Sequence, residues 1–258
     1  MKQSLKKSEA NEEEVDAQAL AEVAGETAVA TAPGQSLMNI GQVSGDVDSR
    51  DLVIPRLEIV QKVGPLSTVE SLDFGDLVLN KSITLAGIHT EKGPNTEIFI
   101  TVLSIVKSYE EVTPYDPSGQ GPRARTFNTA AEVDAAGLWT DWRNDQKPPA
   151  REVANMLVLV EQPEELDSPS FHLEAGEKRY AIASWTVRSG AYNRAAKKVF
   201  SASQIELAET GLPSGVWSLH TERYTTGGNV ISVPFMQLVG KHDMEVLEPL
   251  LKKLQSKG

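Results

Sequence analysis

Six basic side chains fall between Lys178 and Lys198 (Lys178, Arg179, Arg188, Arg194, Lys197 and Lys198), with no acidic residue among them and three aromatic rings, Tyr180, Trp185 and Tyr192. The 258-residue chain has a formal net charge of −11, so these six leave −17 for everything else. Lys and Arg neutralise phosphates, and ring faces stack on unpaired bases. A cationic segment interleaved with aromatics therefore has the chemistry of a single-stranded nucleic-acid contact. A basic edge that only solvates the fold would have the same composition.

Phasing sorts these residues. Arg179 to Arg188 alternates, with Ala181, Ala183, Trp185 and Val187 on one face and Tyr180, Ile182, Ser184, Thr186 and Arg188 on the other. Trp185 is expected in the core, and Tyr180 and Arg188 on the more polar, accessible face. Ser189 to Val199 reads as a short helix with Ser189 as its cap. Tyr192, Ala195, Ala196 and Val199 make its buried stripe, which leaves Arg194, Lys197 and Lys198 as a cationic ridge facing solvent. A second meeting place for bases and phosphates is the Pro-rich excursion over residues 113–151. It carries Arg123, Arg125, Arg143, Lys147 and Arg151 together with Trp139 and Trp142. Trp139 is expected to pin this loop to the core. Trp142 is a stacking candidate with Tyr180 and Tyr224, and Arg123, Arg125 and Arg143 are a phosphate clamp.

Other chemistries lack their residues. With no cysteine, disulfides and thiolate metal sites are excluded. Gly240-Lys241 is followed by His242, so no phosphate-binding Gly-Lys-Ser/Thr loop exists there, and Gly119-Gln-Gly121-Pro reads as a turn. His89, His172, His220 and His242 lack ligand spacing, and no Gly-x-Ser-x-Gly elbow is present. Acidic pairs such as Glu110-Glu111 and Asp73 with Asp76 read as solvated faces. The sequence thus assigns no catalytic residue, no metal ligand and no cofactor.

The elements that must position the cationic residues follow from composition and period. Residues 1–50 hold no aromatic residue and sum to −5, which predicts a disordered acidic tail. Residues 51–240 read as a β-rich core, beginning with an extended segment around Pro55. Strands are expected at 75–88, 96–112, 153–160 with 179–188, 216–226 and 229–239. A helix lies between the third and fourth of these regions, and Thr129-Ala-Ala-Glu132 has capping-box spacing inside the long loop. Pro234 marks its strand as an edge or a bulge. Residues 241–258 form an amphipathic helix. The fold class is mainly β (α+β): an OB-like antiparallel barrel of five to six strands with one long inserted loop. No apolar run approaches the roughly 20 residues that span a bilayer, and the N-terminus lacks a secretory pattern, so a soluble cytoplasmic protein is expected.

Short motifs point the same way. Ile54-Pro55-Arg56-Leu57-Glu58-Ile59-Val60-Gln61, Gly64-Pro65 and Gly75-Asp76-Leu77 form one group, and Ala195-Ala-Lys-Lys198 with Gly227-Gly228-Asn229 and Val233-Pro234-Phe235 the other. Together they resemble a group of tailed-phage proteins similar to phage single-stranded-DNA-binding replication proteins, over roughly residues 51–240. The resemblance implies a non-enzymatic protein that protects or presents single strands in the host cytoplasm. Its partners would be single-stranded DNA and phage replication or recombination proteins, with self-association left open. One feature departs from that family: the acidic arm is N-terminal, whereas the C-terminal Leu251-Lys-Lys-Leu-Gln-Ser-Lys257 is basic. The rival readings are a protein–protein module for an acidic partner and a nucleic-acid-processing enzyme with acids supplied from loops.

Overall fold

The computed structural model describes residues 54–87, 97–113, 123–226 and 228–256. The acidic tail, His89, the Gly119–Gly121 turn and Gly227 lie outside these residues. Apolar, β-branched runs become strands: β1 (Leu57–Ile59), β2 (Leu77–Leu79), β3 (Ile83–Ala86), β4 (Ile98–Glu111), β5 (Thr126–Phe127), β6 (Ala150–Glu161), β7 (Leu173–Ala175), β8 (Lys178–Arg188), β9 (Gly215–Thr226) and β10 (Asn229–Lys241). The helices are α1 (Ala130–Ala135), a π-helical turn (Tyr192–Ala196) continuing into α2 (Lys197–Gln204), and α3 (Met244–Ser256). The strand expected over 75–88 is a tight hairpin instead. Asn80 and Lys81 take φ of 52° and 63°, and these two left-handed residues reverse the chain without a glycine.

All strand pairs within the two sheets are antiparallel. One sheet is β1-β2-β3. The other runs β10-β9-β4-β6-β8-β7, with β5 added to β4. Its inner face is built by alternation: Ile98, Ile100 and Val102 of β4, Met156, Val158 and Val160 of β6, and Ala181, Ala183, Trp185 and Val187 of β8 are buried in one cluster. Tyr192, Ala195, Ala196, Val199 and Ala202 lay the helical stripe onto that core. Burial of each large aliphatic side chain contributes roughly 1.5–3 kcal/mol.

Among the described residues β8 and β10 do not pair, so main-chain hydrogen bonds do not close a barrel. The chain on either side of β1 occupies the gap. Ser184 N–H donates to Pro55 O at 2.8 Å on the β8 side. On the β10 side the Gln61 amide holds both main-chain groups of Ser232, donating to its carbonyl at 2.8 Å and accepting from its N–H at 3.1 Å. Pro234, two residues on, presents no N–H along the same edge. The described chain is therefore a mainly β, antiparallel fold, and no described helix is long and apolar enough to cross a membrane.

Helix α3 covers the outer face of the large sheet. Leu247, Leu250 and Leu254 pack on Leu159, Leu173, Ala175, Tyr180 and Ile182. The alternation of β8 is as its sequence reads, but Tyr180 and Ile182 of its polar face are roofed by this helix.

Candidate nucleic-acid interface

The long excursion ends in a small β-turn. Arg143 and Gln146 exchange main-chain hydrogen bonds of 3.3 and 2.8 Å across Asn144 and Asp145, both left-handed at φ 48° and 61°. The turn sets Trp142 and Lys147 side by side at its base. Both line a groove of about 310 Å³ with Arg151 and Glu152 of β6 and Ser189, Tyr192 and Asn193 of the helix start. Trp142 is 69% exposed. Ser189, between β8 and the helix start, sits at φ 51°, a strained position for a residue with a Cβ. Its side chain does not cap the helix. The cap in the excursion does form: Thr129 Oγ1 accepts from Glu132 N–H at 3.2 Å, and Glu132 Oε2 accepts from Asn128 N–H at 2.9 Å.

Next to Asn193, the Arg194 guanidinium lies 4.8 Å from the ring centroid of Tyr224, which is 45% exposed. Arg194 also meets Glu222 at 3.5 Å, and Glu222 meets His220 at 3.5 Å. Lys198 Nζ sits 3.9 Å from the Phe235 ring centroid and donates to Met236 O at 2.8 Å. The His220 and Phe235 rings stack at 4.9 Å. A cation over an exposed ring is worth about 0.5–1 kcal/mol, and more when water is excluded.

Around the end of β4 the cations are matched by acids. Arg151 and Arg188 both bond Glu110, and Arg125 makes a bidentate pair with Glu111 at 2.8 and 3.1 Å. The Arg125 hydrogen bonds hold the Glu111 carboxyl below its ordinary range and raise the guanidinium in turn. Lys107 bonds Glu152 at 2.6 Å beside the rings of Tyr109 and Tyr192. Burial pulls this ammonium down, but its hydrogen bonds to Glu152 and Tyr109 outweigh that, so it titrates above the usual lysine range.

The residues named from sequence separate into three groups. Trp142, Arg143, Arg194, Lys197, Lys198 and Tyr224 lie on or beside the helix start and the excursion. Arg123, Arg125 and Arg188 lie at the β4–β5 end, and of all these Arg123, Trp142 and Lys197 are exposed side chains that make no hydrogen bond, ion pair or ring contact among the described residues. Tyr180 belongs to neither surface. It is 2% exposed beneath α3, and burial, with the charge of Glu161 second, pushes its hydroxyl up to about 12. Its ring face is not available to a base. The expected solvent-facing ridge is also divided: Arg194 and Lys198 fold down onto β9 and β10, and Lys197 alone projects outward. Asn193 and Phe235 complete the site and were not assigned to it from sequence, whereas Lys147 was named among the basic residues of the excursion.

Among the described residues no group of three or more His, Asp or Glu is arranged to hold a metal ion. Comparison of the chain with protein-family models, curated proteins and solved structures finds no match.

Proposed function

We propose that this chain is a non-enzymatic binder of single-stranded nucleic acid, DNA of a tailed phage being the strand that its sequence motifs favour. One observation carries the reading. Two exposed rings, Trp142 and Tyr224, flank a single helical turn, and the chain neighbours Asn193 and Arg194 join the groove of the first to the ring of the second. Rings of this kind stack bases at about 1–3 kcal/mol each. Arg143, Lys147, Arg194, Lys197 and Lys198 neutralise phosphates along the same track, and Arg123 extends it. The strand order β10-β9-β4-β6-β8, with the helix between β8 and β9, supports the reading too. It is the order of an oligonucleotide-binding barrel opened between its third and fifth strands.

The rival reading, a docking site for an acidic protein, draws on the same cations and on the net charge of −11. Fluorescence titration with oligothymidylate and with duplex, at several salt concentrations, separates the two. Trp185 and Trp217 are buried, so quenching on binding reports on Trp142 and on the half-buried Trp139 of the same excursion. Single-strand binding with quenching and a negative log–log salt slope is expected. Replacing Arg194, Lys197 and Lys198 together flattens the slope by up to about 2, since each phosphate contact on a single strand contributes about 0.7. No binding to single strand at low salt refutes the proposal.

A further inference from the structure

Two arginines at one end of the large sheet, Arg151 lining the groove and Arg188 next to it, share one acid. Arg151 Nε and Nη2 stand 3.2 and 3.0 Å from Glu110 Oε2, and Arg188 Nε stands 3.0 Å from the same oxygen. Strand register explains the convergence. Glu110 of β4 lies opposite Arg151 of β6, and Arg188 of β8 lies opposite Val153, one same-face position along. The Glu110 side chain is 15% exposed, against 33% for Arg151 and 49% for Arg188. One half-sunken carboxylate thus answers two guanidiniums that reach solvent, and the cluster keeps one uncompensated positive charge. Guanidinium forks converging on a single anionic oxygen is also how arginines hold phosphate. Arg151 lines the groove beside Trp142 and Lys147, and Arg188 immediately precedes Ser189, which lines it too.

We propose that Arg151 and Arg188 form a phosphate seat at the groove, with Glu110 as its built-in competitor. The ligand class is a phosphodiester of the bound strand, whose oxygens take over the guanidinium hydrogen bonds that Glu110 accepts in the free protein. This rests on the single-strand reading of the groove and adds its regulation. A tethered carboxylate lowers affinity and returns to the arginines as the strand leaves, which favours release and movement along the strand over static coating. Glu222 stands in a looser form of the same relation to Arg194, at 3.5 Å.

The test titrates full-length protein with oligothymidylate across 0.05–1 M salt for the unaltered chain, Glu110→Gln and Arg188→Gln, with thermal melts to confirm folding. Glu110→Gln keeps the side-chain shape and removes the charge. It is expected to steepen the salt slope by about 0.7 and to tighten binding about fivefold at 0.1 M salt relative to 1 M. Arg188→Gln leaves the Arg151–Glu110 pair in place and is expected to weaken binding and flatten the slope by a similar amount. An unaltered chain that binds while neither variant changes the slope overturns the seat and leaves the single-strand reading standing. Failure of the unaltered chain and of Glu110→Gln alike to bind overturns both. If Glu110→Gln does not fold, Arg188→Gln decides alone, and an unchanged slope overturns the seat.

Discussion

His242 shows how much a single side chain can report. Its Nε2 lies 2.6 Å from Thr101 Oγ1, and its ring meets the edge of Tyr180 at 6.5 Å just ahead of α3. Burial holds its pKa below the usual imidazole value, the Lys178 charge adds to that, and Glu161 opposes it. A base with a depressed folded pKa gains its proton more readily when unfolded. Stability is therefore full above the unfolded value, about 6.5, and is lost as pH falls from there through the folded value. Urea midpoints measured at pH 7.5 and pH 5 should fall over that range in the unaltered chain and should fall less in His242→Gln. Equal losses would place the acid sensitivity elsewhere.

At the scale of elements, the edge of β10 away from β9 is the feature most in need of explanation, because a strand edge without a strand partner invites pairing with another chain. Three devices occupy it in succession: the Gln61 amide on Ser232, the missing N–H of Pro234, and Lys198 Nζ on Met236 O. Gln61 imitates a neighbouring strand with one side chain. Gln61→Ala leaves both main-chain groups of the buried Ser232 without that partner and should cost about 2 kcal/mol in denaturant unfolding. It should also raise the tendency to self-associate, read by light scattering. A variant as stable as the parent would show that water replaces the amide at no cost. The placement of Pro234 at an edge is legible from sequence, since a residue without an N–H has no place inside a ladder. Gln61 is not, because its partner lies 171 positions away.

For the whole molecule, the net charge of −11 opposes any polyanion at long range, while the proposed Trp142–Tyr224 track would attract it locally. Salt weakens both effects but over different distances. The Debye length is about 10 Å at 0.1 M and about 30 Å at 0.01 M, so the diffuse repulsion grows faster as salt is removed. The affinity for oligothymidylate should thus rise on going from 1 M to 0.1 M salt and level off or turn over between 0.1 M and 0.01 M. A slope that stays linear down to 0.01 M would mean that the acidic residues lie too far from the track to be felt.

The features the sequence settled by itself are those governed by a few neighbouring residues. The period of two on β8 places Ala181, Ala183, Trp185 and Val187 in the core, helical spacing buries Tyr192, and Thr129 with Glu132 caps α1. Local sterics and local hydrogen bonds decide such features, so the chain spells them out. Tertiary structure alone decided which accessible-looking residues remain accessible. Tyr180 has a correct strand phase and is lost to the site because the apolar face of α3, about 70 residues later, needs a surface and finds this one. Arg125, Arg151, Arg188 and Arg194 are plain positive charges in sequence. Strand register and helix packing give each a carboxylate partner, and Coulomb attraction depends on that separation in space, which no local pattern encodes.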